Sequence, residues 1–439
     1  MASPRGFVAY ARAAPELRGP LSAPCSPPAQ VGARPTDAAP ARPLEHSILL
    51  TVTLCLLAAG AVMVYSASSA EALLDGSGDS ARYLKRYLIY GAVGLLVMRG
   101  CSSMPLRAVK RGTPVLLLIA FGLTAAVMVP GVGVNVNGAT RWLGAGPVQF
   151  QPSELLKVSL VLYTAALLAA RPRRVRTLGG LVKPLILVVG VGGALLMAQP
   201  DMGTALVICA TIGAVLMAAG ARIRHLGLLG AGLALVALVV ALIEPYRRAR
   251  LTAFIDPWAD AGDTGFQAVQ AMIAIGSGGL FGVGVGESVQ KVFYLPEAHT
   301  DMILAIIGEE LGFVGIGCVV ALYILLGYAG LRAAKVAGDR YTKLLGAGVT
   351  SLILCQATLN LFAVMGLAPI TGVPLPFISY GNSNMIVLLA AMGLLLNIAA
   401  RGDRARVTDA DDDVASLRRR SADVARRRAQ RAGRRAGAP

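Results

Sequence analysis

Residues 296–310 read Pro-Glu-Ala-His-Thr-Asp-Met-Ile-Leu-Ala-Ile-Ile-Gly-Glu-Glu, and an apolar run continues from there to residue 327. A charged loop therefore leads directly into a helix that is hydrophobic enough to cross a membrane. Asp301 falls where water meets hydrocarbon, and Glu309 and Glu310 lie about two turns deeper. Carboxylates at this depth are costly unless they face a cavity or a partner, so the stretch predicts a membrane fold and a functional site together.

The composition of the whole chain agrees with a membrane fold. The chain has 439 residues, of which 55% are hydrophobic and 15% are charged, and its mean hydropathy is +0.65. These values are typical of polytopic membrane proteins and exclude a soluble domain. We predict an all-α polytopic membrane protein with ten transmembrane helices, at roughly 46–66, 84–99, 113–130, 152–170, 184–199, 202–220, 227–244, 301–327, 344–366 and 383–400.

The distribution of basic residues sets the predicted orientation. Lysine and arginine concentrate in alternate short loops and in the C-terminal tail, which places both termini in the cytoplasm by the positive-inside rule. The net charge of +17 therefore reflects orientation and gives no reason to expect nucleic-acid binding. Residues 1–43, with nine prolines, are expected to form a disordered cytoplasmic tail, 44–400 the membrane domain, and 401–439 a basic disordered tail that can touch anionic lipid.

The loop at 245–300 is the longest on the outer side, and loops of this length are usually functional or disordered. Its aromatic residues and glycines predict an ordered extracellular loop. Three arginines at its start, Arg247, Arg248 and Arg250, break the positive-inside rule, and an anionic ligand is the simplest explanation for them. The glycine run 276–286 lacks the lysine of a phosphate-binding loop, so we expect it to allow close packing of short helices.

Asp301 has two possible roles. It could be only a capping residue, because Asp stabilises the N-terminus of a helix. However, Glu297, His299 and Thr300 beside it form a polar cluster richer than a cap requires. A carboxylate in a partly desolvated position has a raised pKa and can act as a general base. We therefore favour a catalytic role for Asp301.

A second signal surrounds the start of the fourth apolar run. Arg141 and Trp142 lie in the loop before it, where Trp is often an interfacial anchor. Ser153 and Lys157 then share a helix face, and Glu154 can pair with the Lys157 ammonium. The pair could be purely structural, or Lys157 could hold a phosphate at an outward cavity.

Two further segments contain polar residues near the membrane boundary. Gln199-Pro200-Asp201-Met-Gly203-Thr204 separates two apolar runs and reads mainly as turn chemistry. Residues 366–384 contain three prolines, which predicts irregular backbone against protein or a cavity. This second segment could be a structural turn, or it could bind sugar through its hydroxyl and amide groups, which are those of Ser379, Tyr380, Asn382 and Ser383.

These segments resemble the SEDS family of membrane glycosyltransferases, and the resemblance extends from about residue 46 to residue 400. Six motifs match in order: Gly-Ala-Thr-Arg141-Trp142-Leu, Gln151-Pro-Ser-Glu154-Leu-Leu-Lys157, Gln199-Pro-Asp-Met-Gly-Thr204, Tyr246-Arg-Arg-Ala-Arg250, Gln290-Lys to Leu-Pro-Glu-Ala-His299-Thr-Asp301, and Pro376-Phe-Ile-Ser379-Tyr-Gly381. The sequence around Asp301 is more similar to that of division-type members than to that of elongation-type members. Asn382 and Met302 depart from the family pattern, where Gly and Phe are usual.

The resemblance implies a peptidoglycan glycosyltransferase that polymerises lipid II at the outer face of the bacterial cytoplasmic membrane, during septal wall synthesis. Asp301 matches the family's essential aspartate and would act as the base of an inverting reaction. Cations that could stabilise the leaving pyrophosphate are Arg141, Lys157, Arg247, Arg248 and Arg250. A divalent cation, Mg or Mn, could assist, although the sequence shows no metal site of its own. The implied partners are a class B penicillin-binding protein and other division proteins.

Three alternatives remain open on the sequence. A lipid II flippase would also need charged residues inside the membrane and an interrupted helical hairpin. An elongation-type polymerase would share the same motifs. A non-catalytic division scaffold would tolerate substitution of Asp301.

Overall fold

The computed structural model describes residues 44–74, 79–136, 139–145, 148–172, 185, 187–243, 245–292 and 294–401. The predicted tails lie outside these residues, except that Arg401 ends the last helix. The helices are α1 (Leu44–Leu74), α2 (Arg82–Ser103), α3 (Leu106–Ala126), α4 (Pro152–Ala170), α5 (Leu187–Ala198), α6 (Met202–Ala218), α7 (Ile223–Ile243), α8 (Pro245–Ile255), α9 (Phe266–Gly278), α10 (Ile303–Val336), α11 (Arg340–Val364) and α12 (Asn382–Arg401).

Each of the ten predicted apolar runs coincides with one of these helices. Within the described residues, six helices are long and apolar enough to cross a membrane, namely α1, α3, α4, α10, α11 and α12. Helices α5 and α6 and the segment Ile223–Leu235 of α7 are apolar but shorter, and α2 carries Arg82, Lys85 and Arg86 in its first turns. A mostly helical, multi-pass membrane protein is therefore confirmed, and the count of ten spans stays a prediction.

One small sheet departs from the all-α prediction, which is wrong at this point. Strands β1 (Gly133–Val136), β2 (Ala139–Ala145) and β3 (Val148–Phe150) form an antiparallel meander in that order. Trp142 of β2 pairs with Val134 of β1, and Leu143 pairs with Phe150 of β3. The sequence does contain the signal, because Asn-Gly between two short β-branched segments is typical of a two-residue hairpin.

Helix α10 lies at the centre of the packing, between α1, α9 and α11, while α11 also packs against α4 and α6. The first turns of α10, Ile303–Ile307, are buried on every face. Two amide side chains of α11, Gln356 and Asn360, are buried nearby. Since buried amides need hydrogen-bond partners, their position indicates irregular backbone close to the start of α10.

Helix α10 is broken at Gly312, where the backbone leaves the helical region with φ 67° and ψ −164°. The loop segment after α9 replaces the missing helical hydrogen bonds. Its amides donate to carbonyls before the break and its carbonyls accept from amides after it, through Val283 N to Glu309 O (3.0 Å), Gly284 N to Glu310 O (3.1 Å), Phe313 N to Gly279 O (2.9 Å) and Val314 N to Leu280 O (3.1 Å). The exchange keeps these polar groups satisfied, as a membrane environment requires.

The break predicts a strict requirement for glycine at position 312. A Cβ at Gly312 would clash with the backbone nitrogen of Gly282, and the positive φ disfavours any other residue. Gly312→Ala should therefore lower stability by roughly 1–3 kcal/mol, visible as a lower thermal midpoint in detergent. The matched control is Gly317→Ala on the same helix, where a Cβ meets nothing within 4 Å. Equal midpoints for the two variants would contradict this reading of the break.

Candidate active site

Asp301 is the penultimate residue of a tight turn, residues 296–302, which lies directly before α10. The N-cap position of α10 is Met302 and not Asp301, and no side-chain capping hydrogen bond is present at this N-cap, so the geometry does not favour capping as the role of Asp301. Its side chain is buried, with 9% of the residue exposed. Asn360 of α11 holds the turn from below by donating to the main-chain oxygens of Asp301 (2.7 Å) and Val373 (2.8 Å).

The surroundings of Asp301 shift its acidity. Burial raises the pKa of the Asp301 carboxyl to about 7, and the neighbouring Glu297 carboxylate acts in the same direction. Hydrogen bonds from the backbone and from Thr300, and the positive charge of Arg250, oppose this rise in pKa. Thr300 Oγ1 lies 2.7 Å from Glu297 Oε2 and 3.3 Å from Asp301 Oδ1, so it bridges the two carboxylates. A carboxyl with this pKa can accept a proton near neutral pH.

Helix α8 brings cationic residues to the same end of the molecule. Arg250 lies near enough to influence the charge of Asp301, and its Nη1 donates to Ile370 O at 3.3 Å. Arg248 is exposed on the same helix. The side chain of Arg247 lies outside the described residues. The structure thus places at least one of the predicted arginines beside the predicted base.

His299 joins the turn to three other parts of the chain. Its Nδ1 lies 3.3 Å from Glu71 Oε2 of α1, and its ring centroid lies 4.4 Å from that of Tyr83 and 5.6 Å from that of Tyr380. Tyr380 N also donates to His299 O at 3.0 Å. The half-buried tyrosines offer aromatic surface and hydroxyl groups beside His299, two residues before Asp301 in the chain, which suits contact with a sugar.

The loop before α12 is irregular and largely buried, as the prolines predicted. Four of its carbonyls accept hydrogen bonds from side chains of surrounding helices: Val373 O from Asn360, Pro374 O from Gln356, Pro376 O from Tyr323, and Phe377 O from Tyr87. Ser379, predicted to bind sugar, is buried, and its Oγ accepts from Leu375 N at 2.8 Å. Ser379 thus stabilises the shape of the loop. Tyr380, which was also predicted to bind sugar, remains partly exposed.

Lys157 and Glu154 form the predicted pair, with 2.9 Å between Nζ and Oε2, and both side chains are almost fully buried. Lys157 Nζ also donates to Gln356 Oε1 at 2.8 Å. Gln356 and Asn360 are one turn apart on α11 and hold the adjacent carbonyls of the loop before α12. The ammonium is therefore connected through α11 to the backbone of Asp301, and only 1% of the Lys157 side chain is exposed.

Arg141 and Ser153 are engaged by the turn between α5 and α6. Arg141 donates to Gln199 O (3.0 Å) and to Pro200 O, so its charge meets carbonyls at the C-terminal end of α5. Ser153 donates to Asp201 Oδ2 at 3.2 Å, and Asp201 also caps α6 through Thr204 N. The turn chemistry predicted for Asp201 is confirmed. Trp142 is half-buried on β2.

A further polar network lies just before the break in α10. The single Ser66 hydroxyl of α1 lies 2.6 and 2.8 Å from the two carboxylate oxygens of Glu310, and Glu310 Oε1 lies 2.9 Å from Lys291 Nζ. Glu309 accepts from Ser288 Oγ and from Val289 N (3.0 Å). The two carboxylates singled out in the sequence therefore fasten residues 286–291 of the loop to α1 and α10.

The sequence did not identify several positioning residues of this site. Asn360, Gln356, Tyr87 and Tyr323 lie within apolar helices, where buried polar side chains could have been noticed as unusual at membrane depth. Glu71 also escaped notice because its partner lies far away in the chain. Within the described residues, no group of three or more His, Cys, Asp or Glu side chains is arranged to hold a metal ion.

The sequence matches a known protein family and resembles individual members of it. Residues 46–403 match the family model for FtsW, RodA and SpoVE, described as "Cell cycle protein". The chain is 40% identical, over 81% of its length and 96% of the relative's, to the probable peptidoglycan glycosyltransferase FtsW of Geobacter sp. (strain M18). It is 39% identical, over 80% of its length and 96% of the relative's, to stage V sporulation protein E of Bacillus subtilis (strain 168).

Solved structures agree with the sequence relatives. One chain of a peptidoglycan synthase complex, described as coordinating polymerization and crosslinking, matches with a TM-score of 0.66 and 30% identity, over 80% of this chain and 96% of that one. The rod shape determining protein RodA of Thermus thermophilus matches with a TM-score of 0.58 and 29% identity, over 80% of this chain and 95% of that one. The resemblance found in the motifs is confirmed.

The buried Lys157–Glu154 pair gives a stability prediction. Lys157→Met leaves the Glu154 carboxylate buried without its cation and should cost about 3–5 kcal/mol, while the double variant Glu154→Leu/Lys157→Met should recover most of this loss. Thermal midpoints in detergent measure both effects. Lys85→Met is the control, because its pair with Asp79 is exposed and should contribute little. If Glu154→Leu/Lys157→Met were as unstable as Lys157→Met, the loss of stability could not be explained by the unpaired Glu154 carboxylate.

Proposed function

We propose a mechanism for this chain, which belongs to the FtsW, RodA and SpoVE family and is, like its relatives named FtsW, a peptidoglycan glycosyltransferase. In this proposal it polymerises lipid II into glycan strands at the outer face of the bacterial cytoplasmic membrane. Asp301 is the general base. The observation that supports this role is a buried carboxyl with a pKa near 7, held at the end of a membrane-spanning helix.

The proposed reaction is an inverting displacement. The Asp301 carboxylate takes the proton from the 4-hydroxyl of the acceptor sugar, and that oxygen attacks the anomeric carbon of the donor. The bond from the anomeric carbon to the pyrophosphate oxygen breaks, and undecaprenyl pyrophosphate leaves with the bonding electrons. A base whose pKa lies near the working pH is both deprotonated often enough and basic enough for this step. The aromatic surface of Tyr83 and Tyr380 beside His299 could hold the acceptor sugar.

The leaving pyrophosphate needs positive charge close to the base. Arg250, with Arg248 on the same helix, is best placed for this role because it already acts on Asp301. Lys157 and Arg141 are engaged within the protein, and we assign them to holding the site in shape. A divalent cation such as Mg or Mn, if used, would take most of its oxygen ligands from the pyrophosphate itself and would neutralise charge on the leaving group.

The same proposal covers topology and partners. The ten helices that coincide with the predicted spans are taken as ten crossings, with both tails in the cytoplasm by the positive-inside rule. The similarity to a chain of a complex that coordinates polymerization and crosslinking supports a class B penicillin-binding protein as partner. Relatives named FtsW support a role at the division septum.

Asp301→Asn should abolish polymerisation, with at least a ~100-fold loss of rate, because the amide cannot accept the proton. The assay uses purified protein with its penicillin-binding partner and lipid II, and glycan strands are resolved on a gel. The matched control is Asp263→Asn, an exposed acid of the same loop, which should retain activity. Long strands from the Asp301→Asn protein would refute the assignment, and movement of fluorescent lipid II across liposomes by this variant would favour a flippase.

The raised pKa of Asp301 gives a pH prediction. A base works only when deprotonated, so the rate should rise with pH through a midpoint near 7. Glu297→Gln removes a neighbouring negative charge that raises this pKa, so the midpoint should move to lower pH. The shift is measured from rates of polymerisation between roughly pH 5 and 9, a range that brackets the expected midpoint. An unchanged midpoint in Glu297→Gln would show that another group controls the profile.

A further inference from the structure

Residues 279–286, Gly-Leu-Phe-Gly-Val-Gly-Val-Gly, are uncharged and lie in the loop that the sequence assigned to the extracellular water. Their large side chains are exposed, namely Leu280, Phe281, Val283 and Val285, and Phe281 reaches 80% exposure. Eight successive residues without a charge, with every large side chain turned outward, are unfavourable in contact with water. We refer to residues 279–286 as the apolar loop segment.

The apolar loop segment is continuous with the lipid-facing surface of a membrane-spanning helix. Its carbonyls at Gly279 and Leu280 accept from Phe313 N and Val314 N of α10. Phe313 and Val314 are themselves exposed, at 68% and 48%. Since α10 qualifies as a membrane span, the exposed residues at this break and those of the apolar loop segment form one apolar surface.

Two helices give the same height for this surface when both are counted from one ion pair at their inner ends. Arg332 of α10 and Glu45 of α1 form an ion pair of 2.8 Å near the end assigned to the cytoplasm. From Arg332 to Phe313 is about 19 residues, or ~28 Å of helix. From Glu45 to Ser66, which contacts Glu310, is about 21 residues, or ~31 Å. Both distances equal the ~30 Å hydrocarbon thickness of a bilayer, so the surface lies at its outer edge.

We propose that the apolar loop segment is inserted into the outer leaflet of the membrane, with Phe281 among the acyl chains just below the headgroups. Its backbone is suited to this position because α10 satisfies amides and carbonyls that lipid cannot. The occupant of the surface is phospholipid. The absence of charge from the segment and its continuity with the exposed side of α10 favour lipid over a protein partner.

The insertion fixes the height of the catalytic turn. Glu309 and Glu310 fasten the residues that follow the segment, and the turn 296–302 comes directly after them. Glu71, which contacts His299, lies about five residues beyond Ser66 on α1, or ~8 Å further out. The turn therefore sits at the level of the lipid headgroups, further out than the hydrocarbon boundary at which the sequence placed Asp301, and the pyrophosphate and first sugar of a lipid-linked substrate lie at this level.

The height can be measured without any enzymatic assay. In vesicles of phosphatidylethanolamine and phosphatidylglycerol brominated near the carbonyl end of the acyl chain, the fluorescence of Phe281→Trp should be quenched about twofold or more, after subtraction of the emission of the unaltered protein. Ile324→Trp, at an exposed position deeper on α10, should respond to bromines near the methyl end. Asp263→Trp should respond to neither. Quenching of Phe281→Trp no stronger than that of Asp263→Trp would overturn the proposal.

The consequence for the catalytic turn has its own test, which rests on the proposed function. Phe281→Asp should reduce glycan polymerisation at least ~10-fold while the thermal midpoint in detergent stays unchanged, because an exposed side chain makes few protein contacts. Phe281→Leu should keep wild-type activity. Wild-type activity in Phe281→Asp would overturn the link to the turn. The insertion would be overturned if Phe281→Asp no longer bound the penicillin-binding partner and if lipid bromines quenched Phe281→Trp only weakly. These two results together would show that a protein covers the surface.

Discussion

Backbone groups that leave a regular helix inside a membrane must find partners within the protein, and this constraint shapes the whole site. The structure meets it in two ways. At the break in α10, a loop segment exchanges backbone hydrogen bonds with the helix. Before α12, side chains from α2, α10 and α11 hold four carbonyls of an irregular loop. The two solutions support the turn that carries Asp301, because Asn360 serves the loop and the turn at once.

Burial of charge follows the same logic. Lys157 is matched by Glu154, and Lys291 by Glu310, so these ammonium groups are compensated inside the protein. Asp301 differs, since burial and the neighbouring Glu297 carboxylate raise its pKa more than the Thr300 hydrogen bond and the charge of Arg250 lower it. A carboxyl whose burial outweighs the positive charge of the arginine beside it is poised to take up a proton. This difference separates the proposed base from the structural carboxylates around it.

Much of the fold could be predicted because each apolar run is a local signal. The small sheet was missed because its strands are short and its hairpin pattern was read as a membrane-boundary loop. In the site, Asp301, Glu297, His299, Thr300 and Arg250 were found from their unusual position in the sequence. Asn360 could have been noticed as a polar residue within an apolar helix, but its partners and those of Glu71 could not be found, because a contact between distant parts of the chain leaves no local pattern.

The most direct test is the titration of Asp301 itself. Infrared difference spectra of the protein in lipid, recorded as the pH is raised, should show a carboxylic acid band that disappears with a midpoint near 7 and is missing from Asp301→Asn. This result would show a buried carboxyl able to act as a base at neutral pH. Loss of the band at about pH 4, the pKa of an unperturbed aspartate, would contradict the account.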